Sequence, residues 1–205
     1  MTWSIKRTLE PASLPVTRDE AKVQLRETTT DRDAEIDDLI HEATGEVDGP
    51  DGWLGRALIE QTLRLRLDVF PSGSDPIRLP LPPVISVTSI QYVDGAGATQ
   101  TWASTEYDLL GDREPAEIHP GFGKSYPATR SQPEAVTVLY LAGYGSNDQD
   151  VPRAIKAFLK LRIGDLDAHR ESLVTGTGST KVPYIEHMLD NFVMPFDGPA
   201  PRRDR

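Results

Sequence analysis

Apolar positions along this 205-residue chain recur with two different periods, and the period changes twice. From about residue 17 to residue 52 the spacing is helical. The stretch "VTRDEAKVQLRE" opens with Thr17 as a cap and Glu20 three residues later, the reciprocal pair of a capping box, with Ala21 and Leu25 on the inner side. A second helix is predicted to start near Thr30 or Asp31. Its residues Ile36, Leu39, Ile40, Ala43 and Val47 fall on one stripe, while Asp33, Glu35, Asp37, Asp38, Glu42 and Glu46 lie mainly off it. "DGPDG" at 48–52 ends that helix by turn chemistry.

The period then becomes two. Leu63, Leu65, Leu67 and Val69 alternate with Arg64, Arg66 and Asp68, which predicts a strand with one buried face. "LPLPP" (79–83) is rigid and extended, and the β-branched run "VISVTSIQYV" (84–93) predicts a strand. "DGAG" (94–97) turns the chain into a return strand through Thr101 and Trp102. Short strands follow near 107–110 and 117–119, and "AVTVLYLAG" (135–143) is the clearest strand of all. Over 151–171 the helical period returns. Pro152 suits a first turn, and Ile155, Phe158, Leu159, Ile163 and Leu166 lie along one face.

The remaining segments are an extended N-terminal arm over 1–16, interrupted by Pro11 and Pro15, a loop "VTGTGSTKVP" (174–183), a short last helix over 184–192 and a tail over 194–205. The predicted fold class is α+β. N- and C-terminal helical parts (17–52 and 151–193) pack as a small bundle, with an antiparallel β-rich insertion (58–143) between them.

Composition narrows the chemistry. Hydrophobic residues make up 38% of the chain, low for a globule, but their clustering still supports a core. With no cysteine, disulfides, thiolate zinc sites and cysteine nucleophiles are excluded. No apolar run approaches the ~20 residues of a membrane span. The start "MTWSIKRTLEP" has no apolar stretch of signal-peptide length, so export is not expected, and the lack of cysteine is consistent with a reducing, cytoplasmic origin.

Net charge is −10 and unevenly placed. Residues 1–52 carry thirteen acidic and six basic side chains, whereas residues 151–205 carry seven acidic and nine basic. Such a chain is poorly suited to gripping nucleic acid through a general phosphate-neutralising surface.

The one local motif that suggests an enzyme is "HPGFGKSYP" (119–127), in which Gly123, Lys124 and Ser125 match the end of a phosphate-binding loop. The full motif needs a glycine where Ile118 stands and a helix after the serine, which Pro127 and Pro133 prevent. Lys124 is then expected on a surface turn. "HEATG" (41–45) has Gly45 where a zinc-protease helix needs its second histidine. His41, His119, His169 and His187 are not at metal-binding helical spacing. No serine sits in a nucleophile elbow, "GTGST" (176–180) lacks a strand–turn–helix setting, and Asp31/Asp33 and Asp165/Asp167 read as caps or solvated carboxylates. No catalytic residue, metal site or cofactor is predicted.

The order of parts carries more information. A capped helix, the polar break "TTTDRD" and an amphipathic helix (14–49) are followed by "GRALIEQTLRLRLDVFP" and "IRLPLPPVISVTSIQYVDGAGATQTW". Then comes "VTVLYLAGYGSNDQDVPRAIKAFLKLRIGDLDAHRES". Over about residues 14–193 this succession resembles the head–tail connector (adaptor) proteins of long-tailed bacteriophages and gene transfer agents. The resemblance implies a non-enzymatic virion protein, assembled in the host cytoplasm as a homo-oligomeric ring, commonly of twelve subunits. The ring would sit at the neck beneath the portal protein, extend the DNA channel without sequence-specific DNA binding, and present a surface to a tail-side neck protein, a stopper or tail terminator. It implies a portal-docking C-terminal segment, matched here by "VMPFDGPAPRRDR", with Phe192 and Phe196 as apolar anchors and Arg202, Arg203 and Arg205 as ionic ones. The acidic second helix, through Asp37 and Asp38, is the candidate channel-facing surface, since a conduit wall should not retain phosphates. Two alternatives stay open: another neck or tail-completion protein, or a small cytoplasmic enzyme or ligand-binding domain.

Overall fold

Thr17 caps the first helix as its local sequence dictates. Its side chain accepts from the Glu20 N–H, and the Glu20 carboxylate accepts from the Thr17 N–H, both at 3.2 Å. The structure, a computed structural model, describes residues 3–169 and 188–194. Helix α1 spans Arg18–Leu25 and stops at Arg26, whose φ of 57° places it in the left-handed region. Helix α2 (Asp33–Val47) buries Ile36, Ile40, Ala43, Thr44 and Val47, so the predicted stripe is inward. Helix α3 (Arg153–Ala168) buries Ile155, Phe158, Leu159 and Ile163. The three helices pack on one another around a core completed by Val16, Leu54, Leu58, Ile59, Val151 and Leu189.

The middle of the chain forms two antiparallel sheets. The larger has the order β1-β2-β8-β4-β5, with β1 Trp3–Leu9, β2 Gln61–Leu67, β4 Val84–Val93, β5 Thr99–Trp102 and β8 Val136–Ala142. The smaller has the order β3-β7-β6, with β3 Ile77–Leu79, β6 Tyr107–Leu110 and β7 Ala116–Pro120. Strict alternation of buried and half-buried residues along β2 and β8 marks the inner face of the larger sheet. Leu63, Leu65, Val136, Val138, Tyr140 and Ile90 from that face share one core with Ile77, Leu79 and Ile118 of the smaller sheet. Full burial of each such aliphatic side chain stabilises by about 1.5–3 kcal/mol. The molecule therefore has a β-sandwich core and a separate helical core, in keeping with the α+β class.

Several expectations are sharpened or corrected. The extended arm is an edge strand, paired with β2 from Trp3↔Leu67 to Arg7↔Leu63. Val69 lies outside β2 and is 50% exposed, because the strand ends at Leu67 and Phe70 takes the buried place. Strand β3 is an addition to the predicted elements, being too short to show a period in the sequence. α2 begins at Asp33 rather than at residue 30 or 31, and α3 ends at Ala168 rather than 171. Of the helix expected over 184–192, residues 188–192 are turns. The Phe192 and Val193 N–H groups both donate to the Leu189 carbonyl, and Met194 N–H then turns away to the Leu54 carbonyl at 3.2 Å. Residues 184–187 and the 174–183 loop lie outside the described residues.

Candidate functional site

Four charged or amide side chains buried between the elements decide how the parts are joined. Asp48, at the end of α2, accepts from the Leu58 N–H at 2.7 Å, from Gln61 Nε2 at 3.0 Å and from Arg7 Nη2 at 2.6 Å. Arg7 also donates to Gln61 Oε1 at 2.5 Å. This network ties the edge strand β1, the helical layer and β2 together. Burial pushes the Asp48 carboxyl above its ordinary value, and the surrounding donors only partly offset it.

Arg56 forms the second joint. It donates to the two Glu114 carboxylate oxygens at 2.9 and 2.5 Å, and through Nε to the Phe192 carbonyl at 2.5 Å. Burial opposes its charge, but Glu114 more than compensates and keeps the guanidinium above its usual range. Lys156 is the third, reaching Asp148 at 2.8 Å and Glu20 at 2.9 Å. Sequence reasoning missed Asp48, Arg56, Gln61 and Lys156. The available signal was a set of polar residues inside apolar runs, such as Arg56 and Gln61 in "WLGRALIEQTLRLRL".

These joints hold two surfaces in place. The first is the outward side of α2. Asp37 is engaged by Arg18 through both carboxylate oxygens, which lowers its pKa, so it presents an ion pair rather than a free charge. Asp33 is similarly held by Lys22 and Arg18. Asp38 and Glu42 are exposed, and neither has an ion-pair partner among the described residues. The second surface is the outer face of the larger sheet. Register places Lys6, Arg64, Leu139 and Ser89 side by side, flanked by Ser4, Arg66, Thr137 and Gln91. Leu139 and Leu141 belong to neither core.

The "GFGKS" turn has no phosphate geometry. Lys124 N–H is used by the Gly121 carbonyl at 2.9 Å, and Lys124 Nζ pairs with Glu106 at 3.1 Å. Tyr126 follows the turn and anchors it. Its ring stacks on Phe70 at 5.2 Å and its hydroxyl donates to the Asp75 carbonyl at 2.8 Å. Burial raises the Tyr126 pKa to about 12. Phe122 at the tip is fully exposed.

His41 is exposed on α2, His119 lies 3.2 Å from Glu117, His169 closes α3, and His187 lies outside the described residues. Among the described residues no group of three His, Asp or Glu is placed to hold a metal, and no helix is long and apolar enough to cross a membrane. Phe192 is half-buried against the helical core, so its ring faces the chain's own fold. Phe196, Arg202, Arg203 and Arg205 lie outside the described residues.

No protein-family model and no curated protein sequence matches the chain. Solved structures do. A chain of the neck of an empty gene transfer agent particle, computed with C6 symmetry, is 20% identical with a TM-score of 0.74, covering 97% of this chain and 100% of that one. A chain of the native particle's neck, computed with C12 symmetry, is 20% identical with a TM-score of 0.64, covering 98% and 100%. A chain from the virion of the native particle is 19% identical with a TM-score of 0.73, covering 94% and 96%. At these identities the likeness establishes a shared fold over essentially the whole length of both chains.

Proposed function

We propose that this chain is a structural subunit of a virion neck, acting by assembly rather than catalysis. The observation that carries the reading is the end-to-end likeness to chains from particle necks, with 97% of this chain and 100% of the other aligned. The match runs along both chains, so the shared fold is that of the whole domain and not of one part of it. The arrangement of charges agrees with it. Among the described residues the buried charged groups Asp48, Arg56 and Lys156 are engaged in joints between elements, and the "GKS" turn is closed by its own backbone.

In this reading the chain forms a homo-oligomeric ring at the portal vertex, as the C6 and C12 symmetry of the structurally similar necks suggests. The ring joins the portal protein on one side to a tail-side neck protein on the other, and extends the channel through which DNA passes. Residues 194–205 are the candidate portal-docking segment. Because Phe192 packs inward, the docking role falls on Phe196 and the terminal arginines. Cryo-electron microscopy of particles carrying a tagged chain tests the reading. Density for a ring of this chain between portal and tail is expected, and its absence from the neck would sink the proposal.

A further inference from the structure

Two like-charge pairs, one on the outer sheet face and one on α2, have no ion-pair partner among the described residues. On the outer sheet face, Lys6 on β1 is directly opposite Arg64 on β2. Neither has a carboxylate within ion-pair distance among the described residues. Their neighbour Arg66 is neutralised by Glu134, which leaves Lys6 and Arg64 as the uncompensated charges. Like charges directly across a ladder destabilise a sheet, with Cβ atoms about 4.5–5.5 Å apart. On α2, Asp38 and Glu42 are one helical turn apart and exposed, and neither has a basic group within ion-pair distance among the described residues. Arg162, whose charge is supported by Glu42, is already committed to Glu46 at 2.6 Å. Like charges at this spacing also cost stability, and their Cβ atoms are about 5–6 Å apart.

The two pairs are opposite in sign, and each sets like charges on neighbouring positions. The basic pair borders the half-buried Leu139 and Leu141, which belong to neither core. An apolar centre with a charged margin is the make-up of a protein interface. In a chain of net charge −10, a basic pair kept free beside an apolar strip calls for an acidic partner. The chain itself supplies one on a different face, which is the requirement for a head-to-tail contact that closes into a ring.

We propose that the Lys6/Arg64 face of one copy docks on the Asp38/Glu42 stripe of the next, forming the seam between neighbouring subunits. The proposal rests on the ring reading and commits Asp38 to the seam rather than to the channel wall.

Lys6→Glu/Arg64→Glu and Asp38→Lys/Glu42→Lys variants of the full chain provide the test, compared by sedimentation velocity at low salt over a range of concentrations. All four positions are on exposed or half-exposed surface, so far-UV circular dichroism should match the wild type. Each variant alone is expected to self-associate at least about tenfold more weakly than the wild type. An equimolar mixture is expected to recover assembly as alternating copies, because each seam again joins opposite charges. A merely misfolded variant would not be rescued by mixing. The proposal is overturned if either variant assembles like the wild type, if the mixture stays dissociated, or if the wild type is monomeric throughout. It is also overturned if reversal at Lys6 and Arg64 changes only DNA retention. Failure of the ring reading shows separately, as particles whose neck lacks this chain.

Discussion

Arg56 and Glu114 form a two-pronged ion pair in which one partner is buried and the other is not: the Arg56 side chain is 6% exposed and that of Glu114 43%. The pair links the turn between β6 and β7 to the segment after α2. Through Arg56 Nε it also holds the Phe192 carbonyl, so the C-terminal described segment is docked by the same residue. The asymmetry of burial makes the two partners unequal under mutation.

Glu114→Gln leaves a buried guanidinium without its counter-charge and is expected to cost about 2–3 kcal/mol, below the loss for a fully buried pair because water reaches Glu114. Arg56→Met keeps the apolar stem and frees Glu114 to hydrate, so it should cost about 1–2 kcal/mol. Urea unfolding of the two variants checks this; a larger loss for Arg56→Met would refute the assignment.

The same pair predicts a pH dependence. Glu114 is held below its ordinary value of 4.5, first by the hydrogen bonds from Arg56 and then by its charge. A depressed carboxyl contributes stability that is fully present above the unfolded value and lost as pH falls through the folded one. Unfolding midpoints of wild type and Glu114→Gln should therefore converge as pH is lowered below about 4.5 and stay apart at neutral pH.

Two glycines should respond to alanine with opposite signs. Gly143, with φ of 139°, follows β8, and a Cβ there would meet the Ile59 carbonyl carbon and the Glu60 nitrogen at 2.5 Å. Gly143→Ala is expected to cost about 3 kcal/mol or more. Gly45 lies inside α2 with open space where a methyl group would sit, so Gly45→Ala should stabilise by about 0.5–1 kcal/mol. Thermal unfolding of both variants reads the two signs directly.

Tyr140 is fully buried and donates to the Pro80 carbonyl at 2.6 Å, with burial raising its pKa well above the ordinary value. Tyr140→Phe leaves that carbonyl without this partner and should cost about 1–2 kcal/mol. In a spectrophotometric titration, one tyrosine fewer should ionise at the unfolding step. A wild-type chain whose tyrosines all ionise before unfolding would contradict the buried placement.

Thr44 offers the reverse case. Its hydroxyl is buried in α2 and has no hydrogen-bond partner among the described residues. Thr44→Val keeps the shape and removes the unpaired group, so a gain of about 1 kcal/mol is expected in urea unfolding.

Local signals were legible wherever neighbours in sequence are also neighbours in space. The Thr17–Glu20 box, the Ile36–Ile40–Ala43–Val47 stripe and the alternation in β2 and β8 each follow from spacing alone, and all three stand in the structure. The missing glycine at Ile118 and the prolines after Ser125 are local signals of the same kind. Periodicity failed where an element is too short to show it, as in Ile77–Leu79.

The sequence by itself determined the element types, the α+β class, the absence of cysteine chemistry and the acidic balance, because these depend on composition or on residues a few positions apart. Only the tertiary structure decided that the N-terminal arm is an edge strand and that Asp48, Arg7 and Gln61 form one network. It alone brought Lys6 opposite Arg64, although the two are far apart along the chain. Such relationships are set by strand register and burial, and the energies that choose a register are summed over a whole sheet. No single residue announces them.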